Sequence, residues 1–374
     1  MTGLRFGLIG TGFIGRMHAI ALHAVGAVFG DIEAPLCSWL ADADADLARK
    51  AAADLRFEHA TGDWRELVAC PDVDVVDICT PNYLHYDMAL AVLAAGKHVY
   101  CEKPLALTPE QADELATAAA RAGVCHAIGF NFVRNPILRH ARAMIEAGEL
   151  GQVHGFAGRN LEDYMGDASV PHSWRCERRL AGSGALADLG SHLINLAHFL
   201  IGDIARVQAS LKTVHATRLP RGGSKSLPVE NEDIALVLVE FASGVTGSFN
   251  ISRVATGYKS GLGFTITGTR GTLEFDQERM NELRFYSADD RSGQRGFRTI
   301  LTGPEHPDYA RFCPAPGHGL GINDLKILEI HELIRAIQSR QPIWPDFQEG
   351  ARVQKLMAAI EHSHATRAWV ETLR

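Results

Sequence analysis

The residue pattern that most clearly suggests chemistry lies in the segment AGSGALADLGSHLINLAHFLIG, residues 181–202. Asp188 and His192 are four residues apart and Asn195 is three further on, so in an α-helix these side chains share one face. A histidine oriented by a carboxylate is a general base that can remove a proton. A buried His–Asp pair with satisfied hydrogen bonds is the structural alternative. A third alternative is that the two residues are a pair of metal ligands, although no further acidic or histidine ligand is evident.

A second reactive group follows the apolar run in VYCEKPL, residues 99–105. The run predicts a buried strand, and Pro104 ends it directly after Lys103. A lysine at the carboxyl end of a parallel strand can hydrogen-bond a substrate hydroxyl and favour its alkoxide, and Glu102 can interact with a cofactor or with the lysine. The alternative is an ordinary surface lysine at a strand end.

The segment GLIGTGFIGRMHA, residues 7–19, has glycines spaced for a dinucleotide. Gly10 would make a tight turn, Gly12 would let the backbone approach a pyrophosphate, and Gly15 would let a helix pack closely. The helix that begins here offers backbone N–H donors to phosphates. The predicted cofactor-binding residues in this turn are Gly10, Gly12, Phe13, Ile14 and Gly15.

The nucleotide preference depends on the acidic residue expected after the second strand. Asp42, in WLADADAD, is the candidate, and VFGDIEAP at residues 28–35 is interpreted as an inserted loop. A carboxylate accepts hydrogen bonds from the ribose hydroxyls and repels a 2′-phosphate, and no arginine follows. The prediction is therefore NAD rather than NADP, with capping of the next helix as the other role for Asp42.

The segment CTPNYLH, residues 79–85, ends another predicted strand. Ligands of such sheets bind beyond the carboxyl ends of the strands. We therefore expect Thr80, Pro81, Asn82 and His85 on the nicotinamide side of the cofactor, with Glu102 and Lys103. His85 can instead be a residue that only starts a helix.

The elements that must position these groups alternate between strand and helix in the first third of the chain. Apolar runs predict strands at 4–9, 35–41, 73–79, 98–101 and 124–130, with helices at 13–27, 45–53, 86–95 and 109–122. This rhythm predicts a doubly wound parallel sheet, because such strands are covered on both faces and read as continuous apolar runs.

The rhythm changes after about residue 130. Helices are predicted at 136–147 and 182–201, and a closing pair at 324–339 and 346–368. Strands are predicted at 151–159, 204–214, 232–242, 245–254, 262–268 and 271–275, and the short turns between them indicate antiparallel pairing. The loops 217–230 and 287–320 are expected to be mobile or to face a partner. The predicted domains are 1–129, which binds NAD, and 130–374, which binds substrate and supports oligomerisation, with the C-terminal helices able to pack back toward the first domain.

Composition limits the function classes. The 374 residues are 46% hydrophobic and 22% charged, with a net charge of −7. This composition is typical of a globular chain. A nucleic-acid partner is not expected, because binding nucleic acid requires a basic stripe and the chain is acidic overall. No apolar run reaches membrane-spanning length and no signal peptide is recognisable, so a cytoplasmic protein is expected. The seven scattered cysteines are interpreted as reduced packing residues, and CPAPGH at 313–318 is too weak to predict a metal site.

Several of these segments together resemble the Gfo/Idh/MocA family of sugar and cyclitol oxidoreductases. They cover most of the chain and are GLIGTGFIGRMHA, CTPNYLH, GKHVYCEKPLA, GSGALADLGSHLINLAHFL and GINDLKILEIHELIRAI. The resemblance implies an N-terminal Rossmann domain and a C-terminal α+β domain whose large, mostly antiparallel open sheet forms oligomer contacts, as a homodimer or homotetramer. It also implies a catalytic lysine, carried to Lys103 with a Lys-Pro bond that is often cis, and a catalytic pair carried to Asp188 and His192. Relatives commonly have aspartate where this chain has Asn195, which can instead donate a hydrogen bond to substrate.

The resemblance implies NAD-dependent oxidation of a secondary alcohol on a sugar or cyclitol, a small polyol. Candidate substrate-binding residues, besides Lys103, Asp188 and His192, are Asn131, Arg134, Tyr164, His172, Trp174 and Arg175. Polar and aromatic groups suit a polyol, although each can also be ordinary loop packing. The SWR at 173–175 is similar to branches that act on neutral sugars, inositols or anhydrosugars. The alternatives are an NADP-dependent carbonyl reductase and a non-catalytic NAD-binding regulator.

Overall fold

The alternation of strand and helix in the first third forms a parallel sheet in the computed structural model, which describes residues 3–372. The elements in chain order are β1 (Arg5–Ile9), α1 (Phe13–Val28), β2 (Leu36–Ala41), α2 (Ala45–Asp54), β3 (His59–Thr61), α3 (Trp64–Ala69), β4 (Val75–Ile78), α4 (His85–Ala94), β5 (His98–Cys101), α5 (Pro109–Ala122) and β6 (His126–Ile128). The strand order is β3-β2-β1-β4-β5-β6, and every pair is parallel. This is the order of a Rossmann fold.

The predicted doubly wound sheet is confirmed, with two omissions. All four residues of β4 are buried, which explains why the run is apolar except for Asp77. The short strand β3 and helix α3 were not predicted from sequence. They have three and six residues, too few for a clear hydrophobic period.

The middle of the chain builds a second sheet and its helices. The elements are α6 (Pro136–Glu146), β7 (Val153–Leu161), α7 (Arg178–Ala181), α8 (Ser191–Leu200), β8 (Ile204–Lys212), β9 (Thr217–Arg218), β10 (Leu227–Pro228), β11 (Ile234–Phe241), β12 (Thr246–Ser252), β13 (Gly263–Gly268), β14 (Gly271–Asp276), β15 (Glu282–Ser287), β16 (Arg298–Leu301) and α9 (Tyr309–Phe312). A π-helical turn at Leu186–Gly190 precedes α8.

The last elements are α10 (Ile322–Ser339), α11 (Phe347–Thr366) and β17 (Val370–Glu371). The nine-stranded sheet has the order β16-β15-β14-β13-β7-β12-β11-β8-β17. Its β7–β12 pair is parallel and the others are antiparallel, which confirms the mostly antiparallel prediction.

Both segments that were expected to be mobile or partner-facing loops contain secondary structure that was not predicted. Residues 217–230 contain the β9–β10 hairpin, in which Arg218 is buried, and residues 287–320 contain β16 and α9, in which Tyr309 is buried. Short strands and a four-residue helix give too little pattern to distinguish them from loops.

The chain divides into two units. Unit 1 contains the described residues up to Asn131 together with Gly321–Gln354, and unit 2 contains Phe132–Leu320 and the described residues from Lys355 onward. In unit 1, α10 packs against α1. The predicted domain limits of 1–129 and 130–374 stay a proposal, and their outer ends lie outside the described residues.

Between residues 3 and 372, the structure has no helix that combines the length and the apolar character needed to cross a membrane.

Candidate active site

The glycine-rich turn in unit 1 has the geometry that its spacing requires. Gly10 has a φ of +103°, and a Cβ there would lie 2.6 Å from the Cys79 carbonyl oxygen. A Cβ on Gly15 would lie 2.1 Å from the Gly10 carbonyl oxygen, so the close approach of α1 to β1 needs glycine. A Cβ on Gly12 would meet nothing within 4 Å, which leaves that backbone open to a ligand.

The N-terminus of α1 suits a pyrophosphate. No side chain caps the helix and its first turn contains no acidic residue. Phe13 is 80% exposed and Ile14 is half-buried, so neither covers the turn. The exposed N–H groups and the dipole of this sixteen-residue helix favour a negative charge at this position. These features fit a dinucleotide.

Asp42 lies beside the same turn. Its Oδ2 accepts hydrogen bonds from the Thr11 N–H at 3.1 Å and the Thr11 hydroxyl at 2.5 Å. The cap of α2 is Asp44, whose Oδ1 accepts from the N–H groups of Asp46 and Leu47. The capping role considered for Asp42 therefore belongs to Asp44. A carboxylate at this position fits the ribose diol of NAD and disfavours a 2′-phosphate.

His85 connects the turn after β4 to the lysine segment. The ring is buried, with Nε2 2.9 Å from the Thr80 carbonyl oxygen and Nδ1 2.7 Å from the Pro104 carbonyl oxygen. Thr80, Pro81 and Asn82 are half-buried in this turn, before α4 begins. His85 therefore does more than start a helix, because it ties two predicted site segments together.

The lysine segment is fixed through Glu102. The Lys103–Pro104 peptide bond is cis, as the resemblance implied, and the Lys103 side chain is half-buried. The Lys103 N–H donates to Glu102 Oε2 at 3.2 Å. Glu102 Oε1 accepts from His18 Nε2 at 3.0 Å and from Lys326 Nζ at 2.6 Å. A Cβ on Gly129 would lie 2.6 Å from that oxygen, so a larger residue there would displace the Glu102 carboxylate.

Glu102 belongs to a set of buried polar residues that we call the Glu102 cluster. Its members come from α1, β4, β5, the residue after β5, and α10, and they are His18, Asp77, Tyr100, Glu102, Lys326 and Glu329. His18 Nδ1 lies 2.9 Å from the Asp77 carboxylate, and Lys326 Nζ lies 2.9 Å from Glu329 Oε2. The Tyr100 hydroxyl donates to Glu329 at 2.5 Å.

The charges of this cluster support one another. Burial would raise the pKa of Glu102, but Lys326 and His18 hold it well below its usual range. Burial would lower the pKa of Lys326, and Glu102 and Glu329 raise it instead. Sequence reasoning missed every member except Glu102. The available signals were an aspartate inside the apolar run VVDI and a histidine at a core position of α1.

The cluster does not offer an obvious metal site. His18, Asp77 and Cys79 place three potential ligand atoms within 4.8 Å of one another. Both ring nitrogens of His18, however, lie against carboxylates. A doubly protonated imidazole has no lone pair for a metal.

In unit 2, the predicted catalytic helix begins with the π-helical turn Leu186–Gly190 and continues as α8. Asp188 is half-buried on the turn, whereas His192 and Asn195 are buried on the α-helical part. Turns of this type are common at functional sites. The sequence pattern could not distinguish this turn from a continuous α-helix.

The start of this helix is anchored by Glu232, which sequence reasoning did not select. Its Oε1 accepts from the Leu186 N–H at 2.8 Å, and its carbonyl oxygen accepts from the Ala185 N–H at 2.9 Å. A Cβ on Gly184 would lie 2.0 Å from that carbonyl oxygen. Burial raises the pKa of Glu232.

Asp188 is held by Tyr164, whose hydroxyl donates to Asp188 Oδ2 at 2.6 Å. Burial and the Asp188 carboxylate raise the pKa of Tyr164 well above its usual value, so the hydroxyl remains a donor. The His192 ring packs edge-on against Phe132, with centroids 4.7 Å apart. The structure thus joins Tyr164, a candidate substrate-binding residue, to Asp188 of the predicted pair.

The segment that carries Tyr164 is clamped by Arg218. This buried guanidinium donates to the carbonyl oxygens of Met165, Asp167 and Val170, with distances of 2.8 Å to Asp167 and 3.1 Å to Val170. Arg218 was missed because it lies in a segment that composition suggested was mobile.

The other candidate substrate-binding residues do not share a hydrogen-bond network with Tyr164 and Asp188 among the contacts described. His172 is fixed by its N–H to the Leu219 carbonyl and by Nε2 to the Pro228 carbonyl at 3.1 Å. The guanidinium of Arg175 stacks on the Trp174 ring, 4.5 Å from its centroid, and Arg175 is exposed. Asn131, at the end of the first segment of unit 1, and Arg134, in unit 2, are both buried.

Comparison with known proteins agrees with this architecture. Residues 4–130 match the family model described as oxidoreductase family, NAD-binding Rossmann fold, and residues 138–274 match the GFO/IDH/MocA C-terminal domain.

The chain is 38% identical to levoglucosan dehydrogenase of Pseudarthrobacter phenanthrenivorans, over 99% of this chain and 98% of the relative. The structure of a levoglucosan dehydrogenase in complex with NADH and levoglucosan aligns with this chain over 100% of both chains, with 38% identity and a TM-score of 0.97. The 1,5-anhydro-D-fructose reductase of Ensifer adhaerens is 32% identical over 72% of this chain and 74% of the relative.

The two family matches extend over most of the chain, and the first describes an NAD-binding fold. NAD is therefore the cofactor, in agreement with the open N-terminus of α1 and with Asp42. The chain belongs to the Gfo/Idh/MocA family of oxidoreductases and is an NAD-dependent dehydrogenase.

Proposed function

We propose that this enzyme oxidises a secondary alcohol of an anhydrosugar of the levoglucosan type, with NAD as the hydride acceptor. The observation that carries the proposal is the full-length similarity to levoglucosan dehydrogenase, at 38% identity over 99% of the chain. A neutral sugar needs paired hydrogen-bond partners for its hydroxyls and an apolar surface for its ring, and the residues proposed to bind it supply both types of group.

The proposed catalytic residues are Lys103, Asp188 and His192. His192 removes the hydroxyl proton as the hydride leaves the same carbon, which yields a ketone, a reduced cofactor and one proton. NAD supplies the hydride acceptor when bound. Lys103 donates a hydrogen bond to the developing alkoxide. Asp188 orients His192 or binds a neighbouring hydroxyl, and its own orientation is supported by the 2.6 Å hydrogen bond from Tyr164.

The proposed sugar-binding residues are the polar and aromatic groups predicted from sequence, namely Asn131, Arg134, Tyr164, His172, Trp174 and Arg175. The Arg175 guanidinium covers one face of the Trp174 ring, so the sugar is proposed to pack against the opposite face. Asn195 is buried on α8, three residues after His192, and is proposed to donate a hydrogen bond to a substrate hydroxyl.

The direct test measures, by absorbance, the reduction of NAD and separately of NADP with each of several candidate substrates. The substrates are levoglucosan, myo- and scyllo-inositol, glucose, galactose and xylose. We expect turnover of levoglucosan with NAD. Preferred turnover of an inositol would show that the substrate is a cyclitol rather than an anhydrosugar. A requirement for NADP would contradict the proposed role of Asp42 in binding the ribose hydroxyls. Reduction of 1,5-anhydro-D-fructose without any alcohol oxidation would favour a reductase.

The residue roles are tested by His192→Ala and Lys103→Ala, each of which should lower kcat by about 10²–10⁴-fold while NADH still binds. His198→Ala is the matched control, because His198 lies on the same helix and has no proposed role. Near-normal turnover in either catalytic variant would remove that residue from the mechanism.

We further propose a homodimer or homotetramer that is assembled through the outer face of the nine-stranded sheet. On β11, Leu236 and Leu238 are 51% and 52% exposed and alternate with buried residues. Adjacent exposed leucines on a sheet face favour contact with another apolar surface. Light scattering of the wild type and of Leu238→Lys tests this proposal, and a monomeric wild type would contradict it.

We also propose a cytoplasmic location. All seven cysteines are free thiols, which suits a reducing compartment. Subcellular fractionation of the native host tests this location.

A further inference from the structure

The mechanism proposed above makes no use of the Glu102 cluster beyond Glu102 itself. His18 lies at its centre with no exposed surface. One ring nitrogen faces the Asp77 carboxylate at 2.9 Å and the other faces Glu102 at 3.0 Å. The opposite oxygen of Glu102 accepts the Lys103 N–H. A continuous chain of polar contacts therefore runs from α1 to the lysine segment.

His18 is also close to the cofactor-binding end of its own helix. It lies six residues after Gly12, the N-cap residue directly before α1. Six residues of α-helix span about 9 Å. A charge on His18 therefore acts on a pyrophosphate at that N-terminus across buried protein, where screening by salt is weak.

The groups that face His18 come from three other parts of unit 1. Asp77 and Cys79 approach from the end of β4, and Tyr100 stacks on the ring with centroids 4.9 Å apart. Glu102 follows β5, and Lys326 approaches from α10 and is paired with both Glu102 and Glu329. Burial raises the pKa values of Cys79 and Tyr100 well above their usual values, so neither competes with His18 for titration between pH 8 and 10.

The protonation state of His18 decides the formal charge of the cluster. With His18 and Lys326 positive and Asp77, Glu102 and Glu329 negative, the sum is −1, and loss of the His18 proton makes it −2. Burial lowers the pKa of His18, but Asp77 and Glu102 more than offset this effect and raise it to about 9.

We propose that protonated His18 is a positioning residue that couples dinucleotide binding at the N-terminus of α1 to the Glu102 carboxylate and the Lys103 segment. The bound dinucleotide carries negative phosphates, so it binds more tightly when the cluster holds the His18 proton. By linkage, the bound dinucleotide must in turn hold that proton more tightly. The inference depends on NAD binding and not on the identity of the sugar.

The size of the effect follows from Coulomb's law. One elementary charge at about 9 Å, at an effective dielectric constant of about 20, changes the dissociation constant by about twentyfold for each unit of charge on the ligand. Binding of NADH, which is stable in base, is measured by its fluorescence at pH 7.5 and pH 10. Because a pKa near 9 leaves a small fraction of His18 protonated at pH 10 in the free protein, we expect the dissociation constant of the wild type to rise by about five- to tenfold.

His18→Gln keeps a polar side chain but carries no charge at either pH. We expect its dissociation constant to change by less than about twofold over this range and to resemble the alkaline wild type. The matched control is His23→Gln, on the same helix but exposed, which should keep the wild-type profile. A merely structural role predicts weaker binding of His18→Gln at both pH values with an unchanged slope, and that result would overturn the proposal.

A second measurement does not depend on a stable variant. Histidine ring signals are followed by NMR as a function of pH with and without NADH, and the His18 signal is assigned by selective labelling or by its absence in His18→Gln. We expect a pKa near 9 in the free protein and an increase of about one unit with NADH. A His18 pKa that does not move when NADH binds would also overturn the proposal.

Discussion

Buried cations hold the candidate functional residues in both units, but they are stabilised by different partners. In unit 1, His18 and Lys326 lie against the carboxylates of Asp77, Glu102 and Glu329. In unit 2, Arg218 is equally buried, but its guanidinium donates to three backbone carbonyl oxygens and holds the segment that carries Tyr164.

This difference in partners determines whether the charge of each region changes with pH. A histidine between carboxylates changes its charge within an accessible pH range. An arginine remains protonated at every pH at which the protein folds. We therefore expect the region around Lys103 to depend on pH and the region around Asp188 to be fixed. Four predictions test this contrast, beginning with the largest effect.

Lys326→Met should lower the free energy of unfolding by about 3–5 kcal/mol at pH 7, because Glu102 and Glu329 would lose their shared buried cation. Denaturant unfolding measures the loss. Lys50→Met on α2 is the exposed control and should change stability by less than about 0.5 kcal/mol. If Lys326→Met fails to fold, Lys326→Arg, which keeps the charge, should recover folding. A loss below about 1 kcal/mol in Lys326→Met would contradict the importance of the cluster.

The His18 proton should stabilise unit 1 by on the order of 3 kcal/mol, since folding raises its pKa from 6.5 to about 9. Because the folded pKa is the higher one, this stability is fully present below about pH 6.5 and is lost as the pH rises through about 9. Unfolding free energies of wild type and His18→Gln, measured from pH 6 to 10, should converge at alkaline pH. Parallel curves would show that His18 does not titrate as proposed.

Arg218→Met should cost about 2–3 kcal/mol, because three carbonyl oxygens in the Tyr164 segment would lose their donor. In contrast to the loss in His18→Gln, the loss should be the same at pH 7 and pH 9.5. Arg221→Met, in the loop of the same β9–β10 hairpin but exposed, is the matched control. A strongly pH-dependent loss in Arg218→Met would remove the distinction between the two regions.

Tyr164→Phe should have the smallest effect, about 1 kcal/mol, because it deletes only the hydroxyl that donates to Asp188. We expect kcat/KM for the sugar to fall by about five- to tenfold with the NADH dissociation constant unchanged. Tyr258→Phe, at an exposed position, serves as the control. Wild-type kcat/KM in Tyr164→Phe would show that this hydrogen bond does not support the reaction.

Local patterns were sufficient where the physical requirement is itself local. The spacing of Gly10, Gly12 and Gly15 specifies a tight turn between a strand and the helix that follows it. The structure has the positive φ at Gly10, the open backbone at Gly12 and the close contact between Gly15 and the Gly10 carbonyl oxygen. The apolar run of β4 is a direct consequence of burial on both faces. The fold class and the cofactor could be predicted for this reason.

The support of the candidate site could not be predicted, since its partners are distant in sequence. Lys326 is 224 residues from Glu102, and His18 is 84 residues from it. Arg218 lies about 50 residues from the carbonyls that it holds, in a segment whose composition resembles a mobile loop. A single sequence does not reveal which distant charge will neutralise a buried one.

The sequence alone therefore determined the doubly wound parallel sheet, the mostly antiparallel second sheet and the choice of NAD, because short-range patterns of apolar residues, of glycine and of the acidic residue after the second strand specify them. Only the tertiary structure decided that Asp44 caps α2 while Asp42 lies beside the glycine turn, and that Tyr164 holds Asp188. It also decided that a buried histidine lies between two carboxylates. The physical reason is that hydrogen bonds and buried charges require specific distances in space, which sequence separation does not determine.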